Sequence, residues 1–243
     1  MNIQDIKQRS HEGGFTLVEL AIVMIIIGLL IGGILKGQEL VANAQITATV
    51  AQVKGLDGAL STFRDKYSTL PGDMRSPNTR LRDCTVAPCN RAGNGNGRVD
   101  TPALGTRPVA TNEGAVAFVH MAAADLISGV LIDDPAVSWG AMLPEAKIGG
   151  GFWMGHTATG NATGVTGMRA GHYLVFNGLP DVNVGGTSGG LTASQAAQMD
   201  RKLDDGNPNS GTVQSTGTNC IQTNAYNEDT ENSSCGMYIR VQG

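Results

Sequence analysis

The chain has 243 residues, with 17 basic and 21 acidic side chains and a net charge of −4. Such a balance leaves no basic field to hold nucleic acid, and an aromatic content of 5% disfavours base stacking. The length allows one or two domains around one sizeable core, and 34 glycines among many Asn, Thr and Ser predict a body of turns and long loops.

Residues 1–14 form a short polar leader carrying Asp5, Lys7, Arg9 and Glu12. From Phe15 to Leu35 the chain is apolar apart from Glu19. At helical rise that run is about 30 Å long, the thickness of a bilayer's hydrocarbon core. Lys7 and Arg9 favour keeping the leader cytoplasmic, while Asp5 and Glu12 dilute that signal. The order is unlike that of a secretory signal peptide, in which the apolar core precedes the cut and leaves with it. Here the small residues Gly13 and Gly14 come before the apolar run. A plain single-pass anchor would explain length and hydrophobicity, but not Glu19, since a carboxylate inside a membrane helix is expensive and usually functional. Gly28, Gly32, Gly33 and Gly37 interrupt the run. They suit either close helix packing or a segment that bends.

The stretch Gly13-Gly14-Phe15-Thr16-Leu17-Val18-Glu19 resembles the class III signal of prepilins, found in type IV pilins and pseudopilins. The resemblance covers roughly Gly13 to Tyr67 and says less about the remainder. It implies cleavage between Gly14 and Phe15 by a prepilin peptidase and N-methylation of the new terminus at Phe15. It also implies that Glu19 serves assembly by neutralising the amino terminus of a neighbouring subunit. The implied partners are other pilin subunits, the peptidase, an inner-membrane assembly platform and membrane lipid. The implied location is the inner membrane with the head in the periplasm, then a surface pilus or a periplasmic pseudopilus. Many pilins carry a proline in the region of Lys36, and this chain has none there.

Past Gly37 the pattern becomes amphipathic, with Ile46, Val50, Val53, Leu60, Phe63 and Tyr67 on one face. No proline interrupts before Pro71, so one helix of roughly 80 Å is expected from about Phe15 to Tyr67. Leu70-Pro71-Gly72-Asp73 reads as a stop and turn. The expected organisation is a leader over 1–14, a membrane or filament-core helix over 15–37, its amphipathic continuation over 38–70 and a globular head over 71–243. The expected fold is α+β and pilin-like, the long helix packing on a small antiparallel sheet with Gly-rich loops.

Four cysteines, Cys84, Cys89, Cys220 and Cys235, all follow the apolar run. An even count on one side of a membrane suits two disulfides in an oxidising compartment. Three pairings are possible, and short polar loops favour Cys84–Cys89 with Cys220–Cys235. Neither spacing is that of a zinc site. Residues 73–112 read as loop. Gly93-Asn94-Gly95-Asn96-Gly97 lacks the Lys-Ser/Thr ending of a phosphate loop. Asn94, Asn96 and Asp100 could offer oxygens to calcium, but Arg98 breaks the EF-hand register and a tight turn accounts for the stretch better.

Glu113 to Leu131 reads as a helix that stops near Gly129, with His120 packed or on the surface. His156 and His172 look isolated. His172 to Phe176 is a strand candidate closed by the turn signal Asn177-Gly178. Thr192 to Gln195 has capping-box form ahead of a helix ending at Asp204-Asp205-Gly206. Asp200, Asp204 and Asp205 are a second place for calcium, Asp200 and Asp204 being four apart and mutually repulsive, although a solvated helix end is the simpler reading. Met237 to Gln242 alternates as a half-buried strand at or near a sheet edge.

No nucleophile, base and orienting group cluster in sequence, and neither a HExxH nor a dinucleotide fingerprint is present. The expectation is therefore a structural filament subunit and not an enzyme, without a cofactor unless calcium binds. The alternatives are a pseudopilin of type II secretion and a membrane-anchored adhesin or binding module.

Overall fold

A computed structural model describes residues 14–100, 102–230 and 234–241. Contacts divide the chain into two units, one ending at Asn43 and one beginning at Ala44. The leader residues Asp5, Lys7, Arg9, Glu12 and Gly13 lie outside the described residues.

Helix α1 runs over Leu17–Tyr67. Its apolar pattern sets its surroundings. Every residue from Gly14 to Lys36 is exposed within the chain, whereas Ile46, Thr49, Val50, Val53, Leu56, Ala59, Leu60 and Phe63 are buried. The buried set recurs at three- and four-residue steps, the stripe of a helix that covers a core. Leu56 and Ala59 bridge the gap between Val53 and Leu60. Buried Thr49 satisfies its hydroxyl on the Gln45 carbonyl at 2.9 Å. The helix stops because Ser68 takes a left-handed conformation, φ 53°, before the Leu70-Pro71 turn is reached.

Short helix α2 (Pro77–Arg80) follows, then α3 over Glu113–Ala123. Helix α3 ends eight residues earlier than Leu131, where the sequence pattern placed its end. Asp125 adopts φ 59°, the Asp125 amide donates to Ala122 O at 3.0 Å and the Leu126 amide to Met121 O at 3.0 Å. That is a Schellman stop built on an aspartate where glycine is usual.

The head's main sheet is antiparallel, with strands β1 (Gly151–Thr157), β4 (Gly171–Asn177), β8 (Gly236–Val241) and β5 (Val213–Thr216) in that order. Two short hairpins accompany it, β2 (Asn161–Ala162) with β3 (Val165–Thr166), and β6 (Ile221–Gln222) with β7 (Ala225–Tyr226). Helix α4 (Ala193–Leu203) has the expected capping box, Thr192 accepting from the Gln195 amide and Gln195 from the Thr192 amide. Strand β8 lies inside the sheet, between β4 and β5, and only Arg240 on it is exposed. It is therefore not the half-buried strand that its alternation suggested. Tyr238 is fully buried, its hydroxyl donating to Thr163 O at 2.7 Å.

One core joins the α1 stripe, α3, the sheet and α4, which makes the head an α+β unit with the helix packed on an antiparallel sheet. Disulfides link Cys84 with Cys89 and Cys220 with Cys235, and all four residues are buried. Their loops span 5 and 15 residues, so loop-closure entropy assigns about 2 and about 3 kcal/mol to them. Replacing Cys220 and Cys235 together with Ser should lower stability by the larger amount. Urea denaturation of the full chain in detergent, against the Cys84/Cys89 double variant, checks the ranking.

Candidate assembly helix and head sites

Thr16 precedes α1 and caps it. The Thr16 amide and hydroxyl both donate to Glu19 Oε2 at 2.9 Å, and the Glu19 amide donates to Thr16 Oγ1 at 3.2 Å. This is a reciprocal capping box of the S/T-x-x-E type. The Thr16-x-x-Glu19 spacing carries this signal in the sequence, and it gives Glu19 a partner within its own chain as well as the external one expected of it. Glu19 thus has work to do in the lone chain, where a first-turn carboxylate also suits the helix dipole. Phe15 and Gly14 lie just outside the helix and are exposed.

Around Glu19 the surface is apolar on every side of the helix: Leu17, Val18, Leu20, Ile22, Val23, Met24 and their successors to Leu35 are all exposed. Soluble monomers rarely expose contiguous apolar area beyond a few hundred Å². The α1 segment is long and apolar enough to cross a membrane.

In the head, the loop Gly93–Asp100 is organised by two carboxylates from outside it. Asp73 Oδ1 accepts from the Gly95 amide at 2.6 Å and the Asn96 amide at 3.1 Å, and Oδ2 from the Gly97 amide at 2.7 Å. Glu113 accepts from the Asn94 amide at 3.1 Å and the Asp100 amide at 3.2 Å. Burial raises the Glu113 pKa above the ordinary carboxylate range, against the pull of these two amides. A Cβ on Gly93 would strike the Gly72 and Asp73 backbone, so only glycine lets the loop approach Asp73.

The oxygens of Asn94 and Asn96 accept from the amides two residues on, at 2.9 and 2.8 Å, and Asn96 Nδ2 donates to Asp100 Oδ2 at 2.9 Å. The loop therefore turns its amide dipoles inward, an arrangement that suits an anion, and Asp73 is that anion.

His120 is fully buried on α3. Its Nδ1 accepts from the Gly72 amide at 3.0 Å and its Nε2 faces Cys89 O at 2.9 Å. Nδ1 must be bare to accept, so the ring is the neutral Nε2–H tautomer donating to Cys89. One imidazole thus ties the turn after α1 to the Cys84–Cys89 loop. Burial pushes its pKa down to about 4. His156 and His172, isolated in sequence, face each other across β1 and β4 with ring centroids 4.9 Å apart. Burial first, and then the charges of His156, Arg64 and Arg98, push His172 down to about 4. Asp200 lies on the last turn of α4, while Asp204 caps that helix and Asp205 follows it. One oxygen from each lies within 4.8 Å of the others.

Residues 9–35 match the prokaryotic N-terminal methylation motif. No curated protein matches the chain, and no solved structure does. The motif is the class III prepilin signal and, confined to the N-terminal segment, supports a type IV pilin or pseudopilin. It implies a structural protein that meets a prepilin peptidase and assembles with like subunits, and with the apolar helix it fits membrane anchoring.

The buried histidine makes the head sensitive to acid. The folded pKa of His120, about 4, lies below its ordinary 6.5, so the unfolded chain takes up the proton first. Its contribution is intact above pH 6.5 and is lost as pH falls through about 4. The shift corresponds to roughly 3 kcal/mol. Wild type should lose more stability than His120→Gln between pH 7 and pH 4, by on the order of that amount, in parallel urea titrations.

Proposed function

We propose that the chain is a structural subunit of a type IV pilus-like filament. In this reading residues 1–14 are a leader, removed between Gly14 and Phe15 by a prepilin peptidase that then methylates Phe15. Residues 15–37 hold the subunit in the inner membrane and later line an apolar filament core. Residues 38–70 continue the helix, and residues 71–243 form a periplasmic head that ends on the cell surface. An inner-membrane platform moves the subunit from lipid into the filament. The reading assigns no catalysis.

The observation that carries the proposal is an α1 half exposed and apolar on every side, with one carboxylate in its first turn, directly after a matched methylation motif. Such a surface needs lipid or other copies of itself as solvent. In a filament core the Glu19 carboxylate would face the Phe15 ammonium of a neighbour, because an unpaired charge in an apolar interior is costly. A head with two disulfides favours the pilus subunit over a pseudopilin.

The capping box allows the charge of Glu19 to be tested apart from its structural part. Glu19→Gln retains an acceptor for the Thr16 amide and removes the charge, whereas Glu19→Ala removes both. Both variants should be processed and membrane-bound, with sheared surface filament falling to a small fraction of wild type, as measured by quantitative immunoblot. Wild-type filament yield from Glu19→Gln would leave the cap as the whole role of Glu19. Intact mass of wild-type filament should begin at methylated Phe15. A membrane species that retains residues 1–14 would overturn the reading in favour of a tethered binding module.

A further inference from the structure

Three asparagines of the chain directly precede glycine: Asn94, Asn96 and Asn177. Asparagine in that setting is chemically labile, because the glycine carries no side chain to shield its nitrogen from the neighbouring carboxamide. The glycine nitrogen gives up its proton and attacks the asparagine Cγ. The bond from Cγ to the side-chain nitrogen breaks, ammonia leaves and a cyclic imide forms. Water then opens the ring to aspartate or isoaspartate, and neither an oxidant nor a reductant is needed.

Two of the three pairs lie in the Gly93–Asp100 loop, whose shape demands the glycines. Gly95 and Gly97 adopt φ 68° and 80°, a left-handed conformation that L side chains rarely take. A Cβ on Gly95 would also strike the Arg75 side chain. Asn94 and Asn96 are exposed, so water reaches both carboxamides. The lability is thus built into the loop.

Asp73 stands over both reacting nitrogens. Its Oδ1 accepts from the Gly95 amide at 2.6 Å and its Oδ2 from the Gly97 amide at 2.7 Å. A carboxylate at that distance opposes loss of the amide proton, since the anion left behind would face a second negative charge. It also fixes each amide plane, and swinging either nitrogen toward its Cγ breaks a charge-assisted bond. The two asparagine oxygens are held as well, on the Asn96 and Arg98 amides at 2.9 and 2.8 Å.

We infer that Asn94 and Asn96 form a deamidation site in the head, which the Asp73 carboxylate holds closed while the loop is seated. The reaction then proceeds only from the opened loop, at a rate set by the time the loop spends off Asp73. Its product makes the opening permanent. Asn96 Nδ2 donates to Asp100 Oδ2 at 2.9 Å, and deamidation replaces that donor with a carboxylate facing a carboxylate. An isoaspartate also lengthens the backbone by a methylene. The buried Val99, whose amide donates to His172 Nε2 at 3.3 Å, would no longer reseat in the same register. The site belongs to the head and does not rest on the assembly role of α1.

The test incubates the full chain in detergent at mildly alkaline pH and follows each asparagine by peptide mass spectrometry, with isoaspartate detected by enzymatic methylation. Native wild type, wild type unfolded in urea and native Asp73→Ala run side by side. Native wild type should deamidate at Asn94 and Asn96 at least about tenfold more slowly than the unfolded chain. Asp73→Ala should recover most of that rate at both positions. Asn177 is the internal control. It is fully buried and the Gly178 amide donates to Ser188 O at 2.8 Å, so it stays slow while the sheet is folded. Hydrogen exchange of the Gly95 and Gly97 amides in wild type gives a second reading, decisive alone if the variant releases Asn177 too. Their protection should match the slowing of deamidation. Unprotected glycine amides, or wild-type deamidation at the unfolded rate, would overturn the inference. So would an Asp73→Ala chain that keeps Asn177 slow and leaves Asn94 and Asn96 no faster than wild type.

Discussion

The structure depends on a change in how apolar residues are distributed along a single helix. Up to Lys36 every side of α1 is exposed and nearly all of it is apolar; from Ile46 to Phe63 the buried residues keep to one stripe. A helix apolar on all sides has no stable surface in water, whereas one with a single stripe needs a body on that side. The head supplies that body, with α3, α4 and the sheet closing over the stripe. The N-terminal half is exposed among the described residues, and this turns a statement about packing into one about assembly or lipid.

Within the head, buried polar groups do much of the ordering that a larger apolar core would otherwise do. Asp73 gathers three loop amides, Glu113 two more, and His120 joins the Pro71-Gly72 turn to the Cys84–Cys89 loop. Each of these side chains comes from a regular or sharply turned segment and reaches a segment that has no ladder of its own. This follows from composition, because a chain rich in glycine and asparagine leaves many backbone amides to satisfy and few large side chains to bury.

How much of this could be read in advance depended on whether the determinant was local. The extent of α1, the capping box of α4 and the strand ending at Asn177 rest on periodicity and short motifs, and all three were legible. The end of α3 was not, because an aspartate does at Asp125 what the pattern assigned to Gly129. Strand β5 escaped notice since Gln214, Ser215 and Thr216 are buried but polar, bonded to Asn209 O, Tyr226 and Gly164 O. Periodicity registers hydrophobicity and is blind to polar burial. The pairing of His156 with His172 is a matter of strand register, and Asp73 meeting Gly95–Gly97 is a long-range closure. Neither leaves a mark in the local sequence.

Glu19 is where the local and the collective arguments meet. A carboxylate in a membrane helix carries a large desolvation cost, yet here both Thr16 donors already bond one of its oxygens. Those bonds fix the orientation of the carboxylate at the start of the helix before any second chain arrives. On the assembly reading, a waiting subunit holds this carboxylate at a helix end, near the edge of the bilayer. On the same reading, a neighbour's ammonium then meets a carboxylate already oriented, so docking need not also order the side chain. Cap and assembly contact are on that reading successive uses of one geometry, the Thr16–Glu19 spacing serving both.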